Sequence, residues 1–207
     1  MGASSLARLY LFGDLLDQDL VLAERMLLDA ANAGHLDSQR LLAAEYTSGK
    51  RLKRDTTAAL QWLKIAEQNS SSSKRTGSFL LGYFYEHEAD DAPNYVEATK
   101  WYRKAADEGD YSSQKRLGDF YEFGKGVPKD YVQAGKWYLL SAANSYGKPG
   151  VRDIHTGALR SRDLLAEKMS ASQRAEAVKL AKEWMEENNS MHARELELAR
   201  EGLEHAS

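Results

Sequence analysis

The 207-residue sequence contains no cysteine and only three prolines, and valine and isoleucine are scarce. Without cysteine the chain has no disulfide bond, no thiolate zinc site and no cysteine nucleophile. Alanine, leucine, glutamate and lysine are plentiful, and these residues favour helices, whereas strands are rich in β-branched residues. The composition therefore predicts an all-helical chain without strands.

An excess of one charge and a long apolar run are also missing. The 28 basic and 31 acidic residues are interspersed and leave a net charge of −3, which provides no electrostatic surface for nucleic acid. No apolar run approaches the roughly 18 residues that span a bilayer, and no charged-then-apolar leader opens the chain. We expect no nucleic-acid partner and no membrane span. Because MGASSLARLYLFG is typical of a helix interior, we expect an expression boundary or a removed leader there.

A pattern of five residues occurs in four copies along the chain. From Leu117, a tyrosine follows after four residues, an aspartate after thirteen, an alanine after seventeen and a tryptophan after twenty. A period of this length is typical of stacked helical hairpins. The longest interval between copies contains the polar insertion NSSSSKRTG. The other copies start at Leu6, Leu42 and Leu81, with Met26 in place of the tryptophan and Asn94 in place of the aspartate.

Each copy is interpreted as two helices, A and B, joined by a loop. The leucine and the tyrosine four residues later share one face of helix A. The aspartate or asparagine is the N-cap of helix B, and the pairs Asn94–Glu97 and Asp130–Gln133 resemble capping boxes. In the fourth copy, the inner stripe of helix B places a small residue beside large ones, as interdigitating helices require: Ala134, Trp137 and Tyr138.

The glycine-rich segment GKGVPKD is interpreted as the connection between helices A and B of the fourth copy. Gly124 is expected to end helix A in a left-handed conformation, Val127 to enter the core, Pro128 to block helix continuation and Asp130 to start helix B. A phosphate-binding loop would need a preceding strand and the spacing G-x-x-x-x-G-K-[ST]. Neither is present, so we reject a phosphate site here.

Small and aromatic residues at the repeated positions are expected to form the core. Gly82 and Gly118, each directly after an anchor leucine, would let a neighbouring helix approach closely. The recurrence of tyrosine and tryptophan favours packing over catalysis or nucleic-acid binding. These aromatic residues are Tyr46, Tyr85, Tyr121, Trp62, Trp101, Trp137 and Trp184.

These motifs resemble the Sel-1-like repeat (SLR), a relative of the tetratricopeptide repeat. The family pattern is roughly A-x-x-x-L-G-x-x-Y-x-x-G-x-G-V-x-x-D-x-x-x-A-x-x-W-Y-x-x-A-A-x-x-G. Residues 113–147 match it most fully, and residues 78–109 match well but lack the loop glycines. The resemblance implies a right-handed α/α solenoid of about four repeats that binds proteins or peptides, and it implies no reaction. We place the repeats at about 1–35, 36–70, 76–110 and 111–147.

The register changes after Pro149. Residues 148–189 are predicted to form a degenerate fifth repeat, a capping helix pair, because a terminal repeat must cover an apolar face and stay soluble. For the tail, residues 190–207, three alternatives stay open: it packs on the cap as a helix, contacts a partner or frays. Leu164 serves as the anchor of the fifth repeat, with Ala181 and Trp184 at the usual offsets and Ser170–Gln173 as a capping box.

The sequence offers no constellation for catalysis. No two of the five histidines have metal-binding spacing on one helix, and no serine lies in a nucleophile elbow. Residues 86–91, EHEADD, could bind a divalent cation weakly, but a solvated loop is the simpler interpretation. No carboxylate is predicted to lie in an apolar pocket. We therefore predict no catalytic residue, no metal site and no cofactor.

A partner is expected on the concave side of the solenoid, which the A helices line. By resemblance to tetratricopeptide repeats, this face holds the positions two before, two after and five after each anchor leucine. These positions vary among copies, as in a grafted binding site but also as on an unconstrained surface. Phe79 and Tyr83 are the strongest candidates, because aromatic residues are good interface anchors. The predicted partner-binding residues are Arg8, Leu11, Arg40, Phe79, Tyr83, Glu86, Lys115, Asp119 and Glu122, with Ala44 and Thr47 at the same positions.

These observations favour a non-enzymatic scaffold that binds another protein or peptide in its concave groove. The family resemblance suggests a bacterial adaptor or an immunity protein that neutralises a toxin, monomeric and in either the periplasm or the cytoplasm. One alternative is a cell-wall-related small-molecule binder or a β-lactamase-like hydrolase. The family members linked to β-lactam binding are rich in cysteine, which this chain lacks. A purely structural spacer is the other alternative.

Overall fold

The computed structural model describes residues 3–13, 17–69, 77–88 and 92–188, together with residues 197 and 200. These residues form ten α-helices and no strand, which confirms the all-helical prediction. No helix among them is both long and apolar enough to cross a membrane. The helices are α1 (Ala3–Phe12), α2 (Leu20–Asn32), α3 (Leu36–Ser48), α4 (Thr56–Gln68), α5 (Gly77–His87), α6 (Tyr95–Asp107), α7 (Tyr111–Phe123), α8 (Tyr131–Ser145), α9 (Arg152–Ala166) and α10 (Ala171–Glu187).

The chain divides into two compact units, Met1–Pro93 and Asn94–Ser207. In the N-terminal unit each helix packs on the next, from α1 through α5. In the C-terminal unit α6 packs on α7, α7 on α8, and α8 on both α9 and α10. The division falls between the two helices predicted for residues 76–110, the copy whose connecting loop lacks glycines.

The four predicted B helices begin at the predicted N-caps. Each cap side chain accepts a hydrogen bond from a backbone N–H of the first turn, which satisfies a donor that has no partner inside the helix. The full capping box at Ser170 and Gln173 is confirmed. At Asn94 and Asp130 the box prediction is wrong, because only the backbone-to-cap half forms. The caps are Asp19, Asp55, Asn94 and Asp130.

A second recurring bond closes the loop between helices A and B. The backbone N–H of Asp55 donates to the carbonyl of Tyr46 at 3.0 Å, and that of Asp130 donates to the carbonyl of Tyr121 at 2.9 Å. The cap aspartate thus fixes both the start of helix B and its distance from helix A. Because this bond joins backbone atoms, it explains the fixed spacing between the tyrosine and the cap aspartate of the pattern.

Buried glutamines join successive hairpins. Gln39 donates from Nε2 to the carbonyl of Ala31, and Gln114 donates in the same way to Ala106, at the end of the preceding B helix. Each glutamine also accepts a bond at Oε1 from an asparagine that ends or follows its own B helix. The carbonyls at a helix end therefore find donors inside the protein rather than in water. The two asparagines are Asn69 and Asn144.

The GKGVPKD loop has the predicted conformation at its start. Gly124 follows α7 in the left-handed region, with φ 69° and ψ 37°, and its N–H donates to the carbonyl of Phe120. Gly126 also has a positive φ, and a Cβ there would overlap the backbone of Tyr95. Val127 is only half-buried, so the predicted core position is not fully reached.

The aromatic core is centred on α8. Trp137 and Tyr138 are fully buried, and Trp184 from α10 packs edge-to-face on Trp137 with ring centroids 6.4 Å apart. Trp62 and Trp101 are half-buried, so the prediction that all four tryptophans lie in the core is wrong for these two. The cover that Trp184 provides explains the full burial of Trp137. Of the three repeated tyrosines, Tyr46 is buried, whereas Tyr85 and Tyr121 are half-buried.

The register predicted for α9 is wrong by one residue. Leu164 is 49% exposed, whereas Leu165 is fully buried. Ala181 and Trp184, the partners predicted in the second helix, are buried. The tail prediction for residues 190–207 falls outside the described residues except at positions 197 and 200, and the loop predicted at 86–91 is described only to residue 88.

Candidate functional site

A depression of about 270 Å³ lies between α3 and α5 in the N-terminal unit. Its surface is mainly apolar. The alanines of α3 leave room opposite the larger side chains of α5. Four of the positions predicted from the repeat register line it: Arg40, Ala44, Thr47 and Tyr83. The other lining residues are Ala43, Ser48, Leu63, Leu80, Phe84 and Glu88.

An aromatic side chain lies at the mouth of this depression. Tyr83 is 42% exposed, and its ring lies 4.5 Å from the ring of His87, centroid to centroid. The carboxylate of Glu88 pairs with the guanidinium of Arg54 at 3.6 Å. The depression thus combines an apolar floor, an exposed aromatic ring and a few polar groups, which is the usual composition of a recognition site.

Three of the predicted partner-binding residues are buried and offer no surface. Leu11, Glu86 and Glu122 all occupy the position five after an anchor leucine, and their exposed fractions are 0%, 5% and 5%. In α7 this position faces helix B of the same hairpin, since Glu122 bonds to Tyr138. The assignment of these three residues to a partner-binding face is therefore corrected.

The remaining predicted residues lie at the surface in different settings. Arg8 is exposed, with its guanidinium 5.8 Å from the ring centroid of Phe12. Phe79 is half-buried on α5. Lys115 and Asp119 form an ion pair on α7 with an N–O distance of 2.8 Å. The last two residues belong to a bonded network in the C-terminal unit.

That network connects α7, α8 and the turn after α9. The hydroxyl oxygen of Tyr138 lies 2.8 Å from Asp119 Oδ1 and 2.8 Å from Glu122 Oε2, and its single proton is shared between the two carboxylates. Lys168 Nζ donates to Glu122 Oε1 at 2.7 Å. Two carboxylates and the two ammonium groups of Lys115 and Lys168 therefore balance in charge. These bonds hold α7 and α8 together and join them to the turn after α9, as a fully bonded polar network does.

Burial raises the pKa of Tyr138 well above its usual range, and the charge of Asp119 and the hydrogen bond to Glu122 act in the same direction. Burial likewise raises the pKa of Tyr46, with the hydrogen bond to Glu24 as the next cause. In the C-terminal unit, burial lowers the pKa of Lys136, and the nearby charge of Arg103 adds to this effect. These shifts follow from packing, because each group is bonded to or packed against the helices around it.

Replacing Tyr138 by phenylalanine should lower the free energy of unfolding by about 1–3 kcal/mol at neutral pH, because two partly buried carboxylates lose a donor. Stability at high pH gives a second readout. Above about pH 10 the unfolded tyrosine releases its proton while the folded one keeps it, so stability falls as the pH rises. Urea unfolding at pH 7 and pH 11 should show a smaller alkaline loss for Tyr138→Phe than for the unchanged chain. An equal loss in both proteins would contradict the role assigned to this hydroxyl.

Metal binding finds no support in the described part of the chain. No group of three or more histidine, aspartate or glutamate side chains there could hold a metal ion. The charged groups of the site region instead form ion pairs.

Four segments of the chain match the family model of the Sel1 repeat: residues 1–35, 36–71, 77–110 and 112–146. They cover more than half of the sequence, so the chain belongs to the Sel1 repeat family, and the resemblance stated above is confirmed. Sel1 repeat proteins generally mediate protein–protein interactions.

Two curated proteins are similar to part of this chain. The chitin synthase regulator SKT5 of Saccharomyces cerevisiae is 33% identical over 118 residues, which are 56% of this chain and 16% of that protein. The DAP3-binding cell death enhancer 1 of Mus musculus is 32% identical over 105 residues, which are 51% of this chain and 20% of that protein. The chain therefore aligns with a fifth or less of the length of these relatives.

A solved structure supports the fold. The Sel1 repeat protein from Oxalobacter formigenes matches with a TM-score of 0.64 and 24% sequence identity, over 90% of this chain and 71% of that one. At this identity the similarity concerns the arrangement of helices and carries no information about the partner.

Proposed function

We propose that this chain is a protein-interaction scaffold that holds a partner protein in the depression between α3 and α5. The observation that carries the proposal is the apolar depression itself, which opens beside the exposed ring of Tyr83. Partly exposed aromatic residues next to an apolar cavity are typical anchors of protein interfaces. Membership in the Sel1 repeat family supports the same function.

The finer role that we propose is that of an adaptor that recruits or restrains its partner. The names of the two relatives support this, since one describes a regulator of an enzyme and the other a binder of a named protein. In a bacterial host the corresponding role is an immunity protein that neutralises a toxin. A toxin gene next to this gene, together with protection of cells that express both, would support immunity. Failure to protect would leave the adaptor role, and turnover of nitrocefin would favour the hydrolase alternative.

Filling the depression should abolish partner binding. Ala44 is exposed on α3 and lines the depression, so Ala44→Trp places a large side chain in the cavity without changing the core. Tyr83→Ala removes the aromatic anchor and should weaken binding about 30-fold, the effect of a typical interface hot spot of about 2 kcal/mol. Pull-down from the host followed by calorimetry with the purified partner measures both effects.

The matched control is Val21→Ala on α2. Val21 is 81% exposed and does not line the depression, so its removal should leave affinity unchanged. Circular dichroism must show unchanged helix content in all three variants. Partner binding that survives Ala44→Trp at full affinity would refute the proposed site.

A further inference from the structure

We propose that Lys136 is a lysine acylation site, whose ε-amine reacts with acyl thioesters faster than the other described lysines do. This inference goes beyond the proposed function, because Lys136 lies on α8 in the C-terminal unit and does not line the depression. It follows from a second cation on the same aromatic ring, from the balance of the charges around the amine and from the partial burial of the side chain.

Two cationic side chains lie against the indole ring of Trp137. Lys136 Nζ is 4.6 Å from the ring centroid, and the guanidinium carbon of Arg103 is 5.5 Å from the same centroid. Arg103 is held there, since its guanidinium donates to the hydroxyl of Tyr121. A guanidinium keeps its proton at any ordinary pH. The repulsion between the two cations is therefore relieved only when the lysine releases its proton.

The carboxylates near Lys136 do not compensate for this repulsion. The charged groups that act on the amine are Arg103 and Asp107 of α6 and Glu183 and Glu187 of α10. Burial of the side chain and the charge of Arg103 lower the pKa of Lys136, and together they outweigh the opposite effect of the three carboxylates. At a given pH, a larger fraction of this amine is therefore neutral than of an ordinary lysine.

Lys168, in the turn after α9, is the opposite case in the same unit. Its Nζ donates to Glu122 Oε1 at 2.7 Å, and this hydrogen bond raises the pKa of Lys168. Its ammonium form is therefore retained. Lys136 is half-buried, so its amine loses hydration but keeps a surface that a small reagent can reach.

The reaction requires the neutral amine, and a lysine activated by burial and by a neighbouring cation is a typical nucleophile. The nitrogen lone pair attacks the carbonyl carbon of the thioester and forms the C–N bond. The C–S bond breaks, its electron pair leaves with the thiolate, and the proton from nitrogen passes to water. The product is an uncharged amide, so acylation removes one of the two positive charges at the indole ring.

Competitive acylation of the full chain tests the proposal. The probe is the acetyl thioester of N-acetylcysteamine, applied at low conversion between pH 7 and pH 10. Mass spectrometry of the digested protein gives the rate at each lysine. We expect Lys136 to react at least about threefold faster at pH 8 than Lys64, which is exposed on α4, and Lys168 to react more slowly than both. The midpoint of the pH profile should be lower for Lys136 than for Lys64.

Removal of the neighbouring cation gives the sharper comparison. Arg103→Gln should raise the midpoint of the Lys136 profile and slow its acylation at pH 8, because the repulsion is lost. Arg103→Lys should keep part of the lowering, since it retains a cation at this position. The matched control is Arg160→Gln on α9, an exposed residue that is not among the charged groups acting on Lys136. It should leave the profile unchanged, and circular dichroism checks the fold of each variant.

The pH profile of the unchanged chain decides the proposal even if a variant fails to fold. Equal midpoints for Lys136 and Lys64, or faster acylation of Lys168 than of Lys136, would overturn it. A low midpoint that a folded Arg103→Gln variant does not raise would also overturn it, because the second cation would then have no effect. The proposed function is tested separately, by binding of the partner to the Ala44→Trp variant.

Discussion

Trp137→Ala is expected to lower the free energy of unfolding by about 3–5 kcal/mol, the usual cost of removing a large, fully buried aromatic side chain. Trp137 has no exposed surface, and Trp184 packs edge-to-face on its ring. Cations also contact the ring, since Lys136 Nζ lies 4.6 Å and the Arg103 guanidinium 5.5 Å from its centroid. Alanine would leave a cavity between α8 and α10 that these side chains cannot refill.

Trp101 provides the matched control, because it occupies the same repeat position in α6 and belongs to the same unit. Its side chain is half-buried, so part of its surface is in water before and after the replacement. Trp101→Ala should therefore cost clearly less than Trp137→Ala, and urea unfolding followed by circular dichroism measures the difference. Equal losses, or a loss below about 1 kcal/mol for Trp137→Ala, would show that the repeat register does not determine the core.

Gly118→Ala is expected to destabilise the C-terminal unit by about 2–3 kcal/mol, at the upper end of the usual overpacking cost. A Cβ at this position would overlap the ring of Tyr138. That ring cannot move aside easily, since its hydroxyl is bonded to both Asp119 and Glu122. The better helix propensity of alanine offsets only about 1 kcal/mol of this cost.

Gly157 in α9 provides a control of opposite sign. A Cβ added to Gly157 meets nothing within 4 Å, so the replacement has no steric cost. Gly157→Ala should therefore raise the free energy of unfolding by about 0.5–1 kcal/mol through helix propensity alone. Thermal and urea unfolding of the two variants should give changes of opposite sign. Stabilisation by Gly118→Ala would contradict the close approach of α7 and α8.

The repeat pattern predicted the features that depend on local chemistry. Asp55 and Asp130 cap their helices because a short side-chain acceptor at that position reaches the free N–H groups of the first turn. Burial of Trp137 and Tyr138 followed from their place on the inner stripe of helix B. Capping depends on residues within one hairpin, which the repeat pattern contains, whereas full burial of Trp137 also needs Trp184 from α10.

The features that the sequence did not predict depend on neighbours outside the hairpin. The choice between Leu164 and Leu165 was ambiguous because both apolar residues suit an amphipathic helix, and only packing within the C-terminal unit selects Leu165. Glu122 is polar and was expected at the surface, but Lys168, 46 residues later, neutralises it in a buried position. Burial of a carboxylate requires such a partner, and its position cannot be read from periodicity.

The glutamines that join the hairpins also recur at a fixed repeat position, which the pattern of apolar residues does not include. Gln39 and Gln114 lie three residues before an anchor leucine, and Asn69 and Asn144 lie at matching positions after it. Polar residues that recur at one repeat position predict a buried hydrogen bond as well as surface. The repeat register placed residues of α3 and α5 on one face, but it did not predict the depression between them, whose walls include Leu63 from a B helix.

Site-specific photo-crosslinking tests the central claim most directly. A benzoylphenylalanine introduced at Ala44, which lines the depression, should crosslink to the bound partner in the host cell. The same probe at Val21, exposed on α2, should not. We expect mass spectrometry to find one partner joined at position 44. A partner that crosslinks from position 21 and not from position 44 would contradict the account.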